Sequence, residues 1–119
     1  MNDYQMGAVE SRFADIIWEN EPISSRALSE LCKEKLGWSK TTTYTVIKRL
    51  SDRGIVKNEN TVVTSLVSKD EAQRAEIDEL VEKKFEGSLP AFIAAFARRQ
   101  KLSDKEIKEI ERIIEKGGE

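Results

Sequence analysis

The run Trp38 to Gly54, W-S-K-T-T-T-Y-T-V-I-K-R-L-S-D-R-G, reads as one short helix with an apolar back. Thr43, Val46, Ile47 and Leu50 fall at i, i+3, i+4 and i+7, the spacing of a helix face that packs on a core. Ser39 supplies an N-cap and Gly54 a C-cap, so both ends are marked. The opposite side carries Thr41, Thr42, Thr45, Lys48 and Arg49 as a second stripe. Hydroxyls can hydrogen-bond base edges or phosphates, a threonine methyl can touch a thymine methyl, and Lys and Arg can pair with phosphate or guanine. That is the make-up of a DNA recognition helix. The same residues would also suit the solvated face of an ordinary amphipathic helix, threonine having only mediocre helix propensity. The flanking segments decide between the two.

With 119 residues the chain has room for one core domain and an appendage, and is too short for most two-domain enzymes. It contains no apolar run of about 18 residues, and its start, M-N-D-Y-Q-M-G, lacks the basic and apolar regions of a signal peptide. A cytoplasmic, soluble protein without membrane insertion is expected. The single cysteine, Cys32, excludes an intrachain disulfide and a Cys-rich metal cluster. The absence of histidine removes the common zinc sites and His-based acid-base catalysis. No cofactor, metal site or catalytic residue is therefore expected. Cys32 shares an apolar stripe with Leu28 and Leu31 and reads as a buried structural thiol.

The net charge of −2 looks unfavourable for a nucleic-acid partner, but its distribution matters more than its sum. Residues 33–57 hold Lys33, Lys35, Lys40, Lys48, Arg49, Arg53 and Lys57 against Glu34 and Asp52, a local balance of +5. Residues 70–119 hold thirteen acidic and ten basic side chains, a balance of −3. The cations gather on the candidate reader and the acidic excess lies in the tail.

The order of elements supports the first reading of the helix. Ala8 to Glu19 is expected to bury Val9, Phe13, Ile16 and Ile17, with Trp18 near its end. After an E-N-E-P-I break, Ser24 caps a second helix reaching about Leu36, with Leu28, Leu31, Cys32 and Leu36 inward and Ile23 and Leu28 placed as a hydrophobic staple. Gly37 ends it, and Trp38 reads as a core wedge that sets the angle to the next helix. Helix, short Gly-containing turn and polar-faced helix make a helix-turn-helix. Beyond Gly54 the period becomes extended: I-V-K-N and T-V-V-T-S-L-V are β-branched runs separated by Glu59 and Asn60, a tight hairpin. Three helices and a hairpin form the winged variant, with Ile55 and some of Val63, Leu66 and Val67 packed inward and Lys57 and Asn58 near the tip.

From Asp70 the chain returns to helix and loses its DNA-like features. Ile77, Leu80, Val81 and Phe85 mark one apolar stripe, Leu89, Phe92, Ile93 and Phe96 a second, and Ile107, Ile110 and Ile114 a third. Gly87-Ser88 separates the first two, and Ser103 with Glu106 forms a capping box for the third. Fifty residues in three short helices bury little surface alone. The economical partner is a second copy, which would also give a small reader two half-sites on a palindrome. The expected class is thus mainly α with a small β-hairpin. A winged helix-turn-helix domain over residues 1–69 is followed by a C-terminal helical dimerisation region over residues 70–119.

Three motifs, F-A-D-I-I-W in the first helix, W-S-K-T-T-T-Y-T-V-I-K-R-L-S-D-R-G in the reader, and F-E-G-S-L-P-A-F-I-A-A-F with L-S-D-K-E-I-K-E-I in the tail, resemble the BlaI/MecI/CopY group of bacterial penicillinase-type repressors. The resemblance spans nearly the whole chain. It implies a homodimer that represses from palindromic double-stranded operators, often over its own operon and resistance genes. By position it places Thr42 and Thr45 as base-contacting residues and Ser39, Lys48 and Arg49 as backbone contacts. The chain departs from the family at three points. Its wing is shorter, with Val63 and Thr64 where aromatic residues are usual. The β-lactam repressors carry an Asn-Phe bond that a membrane-linked sensor protease cuts, and the matching pair here is Ala95-Phe96. The copper-responsive branch ends in paired C-x-C motifs, whereas this chain ends in E-K-G-G-E.

The resulting expectation is repression by occupation of a promoter. Ser39, Lys40, Thr41, Thr42, Thr45, Lys48, Arg49 and Lys57 form the DNA-binding set, with Lys40, Arg49 and Lys57 on phosphates. The alternative is a winged-helix module for protein interaction, without sequence-specific DNA binding.

Overall fold

The computed structural model describes residues 4–99 and 101–117. Its elements run α1 (Ala8–Asn20), β1 (Ile23–Ser24), α2 (Ser25–Leu36), α3 (Lys40–Asp52), β2 (Val56–Glu59), β3 (Val62–Ser65), α4 (Lys69–Lys84), α5 (Leu89–Arg99) and α6 (Asp104–Lys116). This is a winged helix followed by a helical C-terminal region, the expected class. The chain divides into two compact units, Met1–Asp78 and Glu79–Glu119.

In the first unit, α1, α2 and α3 pack on one another and on the sheet. Phe13, Ile17, Leu28, Cys32, Leu50, Ile55 and Val63 are fully enclosed. Trp38 stacks on Phe13, ring centroids 5.3 Å apart, and so fills the corner between α2 and α3. Gly37, at φ 70°, lets α2 end in a left-handed turn: the Gly37 and Trp38 N–H groups return to the carbonyls of Lys33 and Cys32. Val9 departs from expectation, remaining 53 % exposed. It lies on the stripe of Phe13 but one turn nearer the helix start, outside the enclosed layer.

The sheet is larger than a hairpin. Ile23 and Ser24 pair with Val63 and Val62, so the strand order is β1-β3-β2. The turn also lies one residue later than the sequence places it. Glu59 pairs with Val62, and Asn60 and Thr61 form the loop at φ 53° and 63°. Positive φ at both central residues matches the twist of the strands; Asn tolerates it, while β-branched Thr61 is strained. The Thr61 carbonyl accepts the Ser25 N–H at 2.8 Å, which ties the turn to the start of α2. Within β3 and the segment after it, Val63 and Val67 are buried but Leu66 is 55 % exposed, as alternation in an extended chain requires. Two side-chain contacts lock α1 to this segment. The Trp18 indole N–H donates to the Val67 carbonyl at 2.9 Å, and the Glu21 carboxylate accepts the Ser65 N–H and hydroxyl at 2.8 and 2.9 Å.

The first part of α4 belongs to the first unit, where Ala72 is buried and Lys69 pairs with Asp15 at 3.1 Å. Ile77 and Val81 lie on the other side of that helix from Ala72, so α4 is not a single-stripe helix. In the second unit, Ser88 caps α5 by accepting the Ala91 N–H, and the Phe85 and Phe92 rings meet edge to face at 5.5 Å. Ser103 and Glu106 exchange backbone N–H bonds in the expected capping box of α6. Leu89, Ile93, Phe96, Ile107, Ile113 and Ile114 stay exposed, and α6 fully buries none of its side chains. Val81, by contrast, is already buried within the chain.

Among the described residues no helix is long and apolar enough to cross a membrane.

Candidate nucleic-acid interface

The candidate reader, α3, is built from its caps inward. The Ser39 hydroxyl oxygen accepts the Thr42 N–H at 3.1 Å and donates to the Thr42 hydroxyl at 3.0 Å, so it starts α3 and orients Thr42 together. At the far end Gly54 has φ 78° and the Ile55 N–H closes on the Leu50 carbonyl, turning the chain into β2. Thr43, Val46, Ile47 and Leu50 are buried, which fixes the helix about its axis. Ser39, Lys40, Thr41, Thr42, Thr45, Lys48 and Arg49 are all exposed on or beside the outward face. The structure therefore brings seven of the eight expected contacts onto one cap and one helix; Lys57 lies apart, on β2.

The Thr42 and Thr45 hydroxyls of the face are already engaged. Thr45 donates to the Thr41 carbonyl one turn back at 2.9 Å, and Thr42 is held by Ser39. The cations are also engaged. Lys48 pairs with Asp52 at 3.4 Å, Arg49 with Glu10 at 3.3 Å and Lys57 with Glu59 at 3.2 Å. Lys40 sits over the Tyr44 ring, 5.9 Å from its centroid, and the Tyr44 hydroxyl reaches the Ser25 hydroxyl at 3.4 Å. The Lys48 and Lys57 pairs are exposed on both sides and weak in net energy, so a phosphate can displace their acidic partners, whereas the Arg49 partner Glu10 is mostly shielded.

Glu10 is the residue that sequence reasoning missed. Its carboxylate accepts the Gly7 N–H, pairs with Arg49, and pairs with Arg53 at 3.6 Å, while Arg53 also donates to the Gln5 carbonyl. A signal existed: Arg49 in the last turn of α3 and Arg53 at its C-cap stand at i, i+4, and Glu10 is the acidic residue in the first turn of α1. Their meeting depends on how two helices cross, which spacing along one chain does not state.

Behind the face, burial pushes the Cys32 thiol above its ordinary value of 9.0, and the Thr43 hydroxyl offsets this only in part. A thiol held protonated and enclosed is packing material, not a nucleophile. Among the described residues no three carboxylates or thiols gather as a metal site.

The penicillinase repressor family model matches residues 6–116. The methicillin resistance regulatory protein MecI of Staphylococcus aureus is 26 % identical over 117 residues, covering 95 % of each chain. The proteins of that name from Mammaliicoccus sciuri and Staphylococcus epidermidis show the same identity and coverage.

Proposed function

The chain belongs to the penicillinase repressor family, a family of repressors and not of enzymes, and from that premise we propose that it binds a palindromic operator as a homodimer and blocks transcription of a resistance or stress operon. The observation that carries this reading is the outward face of α3. Three threonines and three cations stand exposed on a helix whose opposite side is fixed in the core by four buried residues. Thr42 and Thr45 are the base-contacting residues, and Ser39, Lys40, Thr41, Lys48, Arg49 and Lys57 engage the backbone. The cell compartment is the cytoplasm, where the operator lies.

The homodimer is supported by the exposed apolar side chains of α5 and α6, Leu89, Ile93, Phe96, Ile107 and Ile114 among them. Ile113, absent from the sequence-derived set, extends the same surface at 60 % exposure. The winged domain over residues 1–69 and the dimerisation region over residues 70–119 remain the proposed division of labour. A membrane-linked sensor protease is the relief mechanism that family analogy offers, although the Asn-Phe bond cut in the β-lactam repressors is replaced here by Ala95-Phe96.

One observation favours a second reading, a protein-interaction module: Lys48, Arg49 and Lys57 each have a carboxylate partner. An electrophoretic shift with the intergenic DNA upstream of its own gene separates the two. A discrete complex that resists excess random duplex supports the repressor; equal competition by random duplex refutes it. Phe96→Asp, run beside it in sedimentation, is expected to give monomers, since an unpaired carboxylate buried at an interface costs several kcal/mol.

A further inference from the structure

Thr45 has only its acceptor capacity left for a ligand. Its hydroxyl lies 2.9 Å from the Thr41 carbonyl oxygen, and because a carbonyl can only accept, the Thr45 proton is committed to that bond. What remains outward is the γ-methyl group and the lone pairs of Oγ1, on a side chain that is exposed to solvent. Thr42 differs. Its hydroxyl lies 3.0 Å from the Ser39 hydroxyl, a partner that can either give or take a proton, so the Thr42 proton is not committed in the way that of Thr45 is. The helix thus presents two chemically different threonines a single turn apart, Thr45 limited to accepting and Thr42 not.

We propose that Thr45 reads an exocyclic amino group in the major groove, adenine N6 or cytosine N4, and selects base pairs that place a donor there. These are the two base-edge donors the groove displays. A base offering only acceptors, such as the N7 and O6 edge of guanine, would face lone pairs with lone pairs unless Thr45 first gave up its bond to Thr41. The proposal rests on the DNA-reading function proposed above and adds the polarity of one contact.

The test begins with selection of bound sequences from a random duplex library by the full chain. In the selected site each adenine is then replaced singly by purine and each cytosine by 4-deaminated pyrimidinone, which removes the amino group alone. Binding is measured with the unaltered chain, Thr45→Val and Thr45→Ser. Thr45 is exposed, so circular dichroism is expected to show all three folded alike. One amino deletion is expected to weaken the unaltered chain and Thr45→Ser about tenfold and to leave Thr45→Val unchanged. Amino deletions that affect Thr45→Val as much as the unaltered chain overturn the proposal. So does coupling of Thr45 to thymine methyls, seen by thymine-to-uracil exchange, which would make it a methyl reader. Recovery of no preferred sequence refutes the DNA-reading function itself, and that result is distinct from both.

Discussion

Replacing Glu10 by Gln should move stability and DNA affinity in opposite directions. The carboxylate is mostly shielded, at 18 % exposure, and holds Arg49 at 3.3 Å and Arg53 at 3.6 Å. Arg49 is 54 % exposed, which places its pair in the screened range of about 0.2–1 kcal/mol. Arg53 is only 21 % exposed and its pair should lie at the upper end of that range or just above. Glutamine keeps the shape and can still accept the Gly7 N–H, so the expected loss is about 1–2 kcal/mol, or a fall in Tm on the order of 5–10 °C. On the DNA side, the substitution deletes the anion that competes with phosphate for Arg49. One added phosphate contact per subunit steepens the dependence of log K on log salt by about 0.9. Fluorescence anisotropy with a random-sequence duplex between about 50 and 200 mM salt reads the slope, and thermal unfolding reads the stability. An unchanged slope would show that Arg49 does not reach the backbone. A shallower slope would show that Glu10 holds Arg49 in its binding pose, and the competition argument would be wrong.

Other expected outcomes follow from single contacts. Trp18→Phe keeps most of the ring but removes the donor to the Val67 carbonyl, and should cost about 1–2 kcal/mol in urea unfolding; a neutral result would mean that solvent satisfies that carbonyl equally well. Cys32 has a folded pKa above its ordinary 9.0 because burial disfavours the thiolate, so its contribution to stability is complete below that value and is lost as pH rises past it. Unfolding measured on both sides of that pH should show a decline that Cys32→Ala reduces; an identical decline in the variant assigns it to other groups. Glu106 is shifted the opposite way: the Ser103 N–H, then the Ser103 hydroxyl, hold its carboxyl below 4.5. The box is intact above that value and lost as pH falls through the lowered pKa. A carboxyl NMR titration of Glu106 with a midpoint at or above 4.5 would show that the capping box is not populated.

The helices of the winged unit were legible because each carries its own stop signals. Ser24, Gly37, Ser39 and Gly54 stand where the chain starts or ends a helix, and the inward residues of α3 match its i, i+3, i+4, i+7 stripe. What was not legible depends on partners distant in sequence. β1 is two residues long and exists because Ile23 and Ser24 find β3 about forty residues later. The turn fell on Asn60-Thr61 because strand register, not local propensity, set it. Val9 illustrates the limit of periodicity, which gives the side a residue faces but not whether anything covers that side. The polar face of α3 was readable as composition; the pairing of each cation, and the bond that commits the Thr45 proton, required coordinates.

Those pairings bear on why the proposed homodimer would need two copies. With Lys48, Arg49 and Lys57 each already matched by a carboxylate, a single unit gains less from phosphate than its local excess of cations implies. Its hydroxyl contacts are individually small, so one reader alone should bind weakly and prefer its site only modestly. Joining two readers changes this, because the second engagement is intramolecular and proceeds at an effective concentration in the millimolar range. On the proposed function, the exposed apolar stripes of α5 and α6 would then be the source of most of the operator affinity. It follows that Phe96→Asp, far from the reader in sequence, should weaken operator binding more than Lys48→Ala does, while leaving affinity for random duplex nearly unchanged when expressed per subunit. A Lys48→Ala loss equal to or greater than the Phe96→Asp loss would place the affinity in the charges of α3 and remove the reason for a dimer.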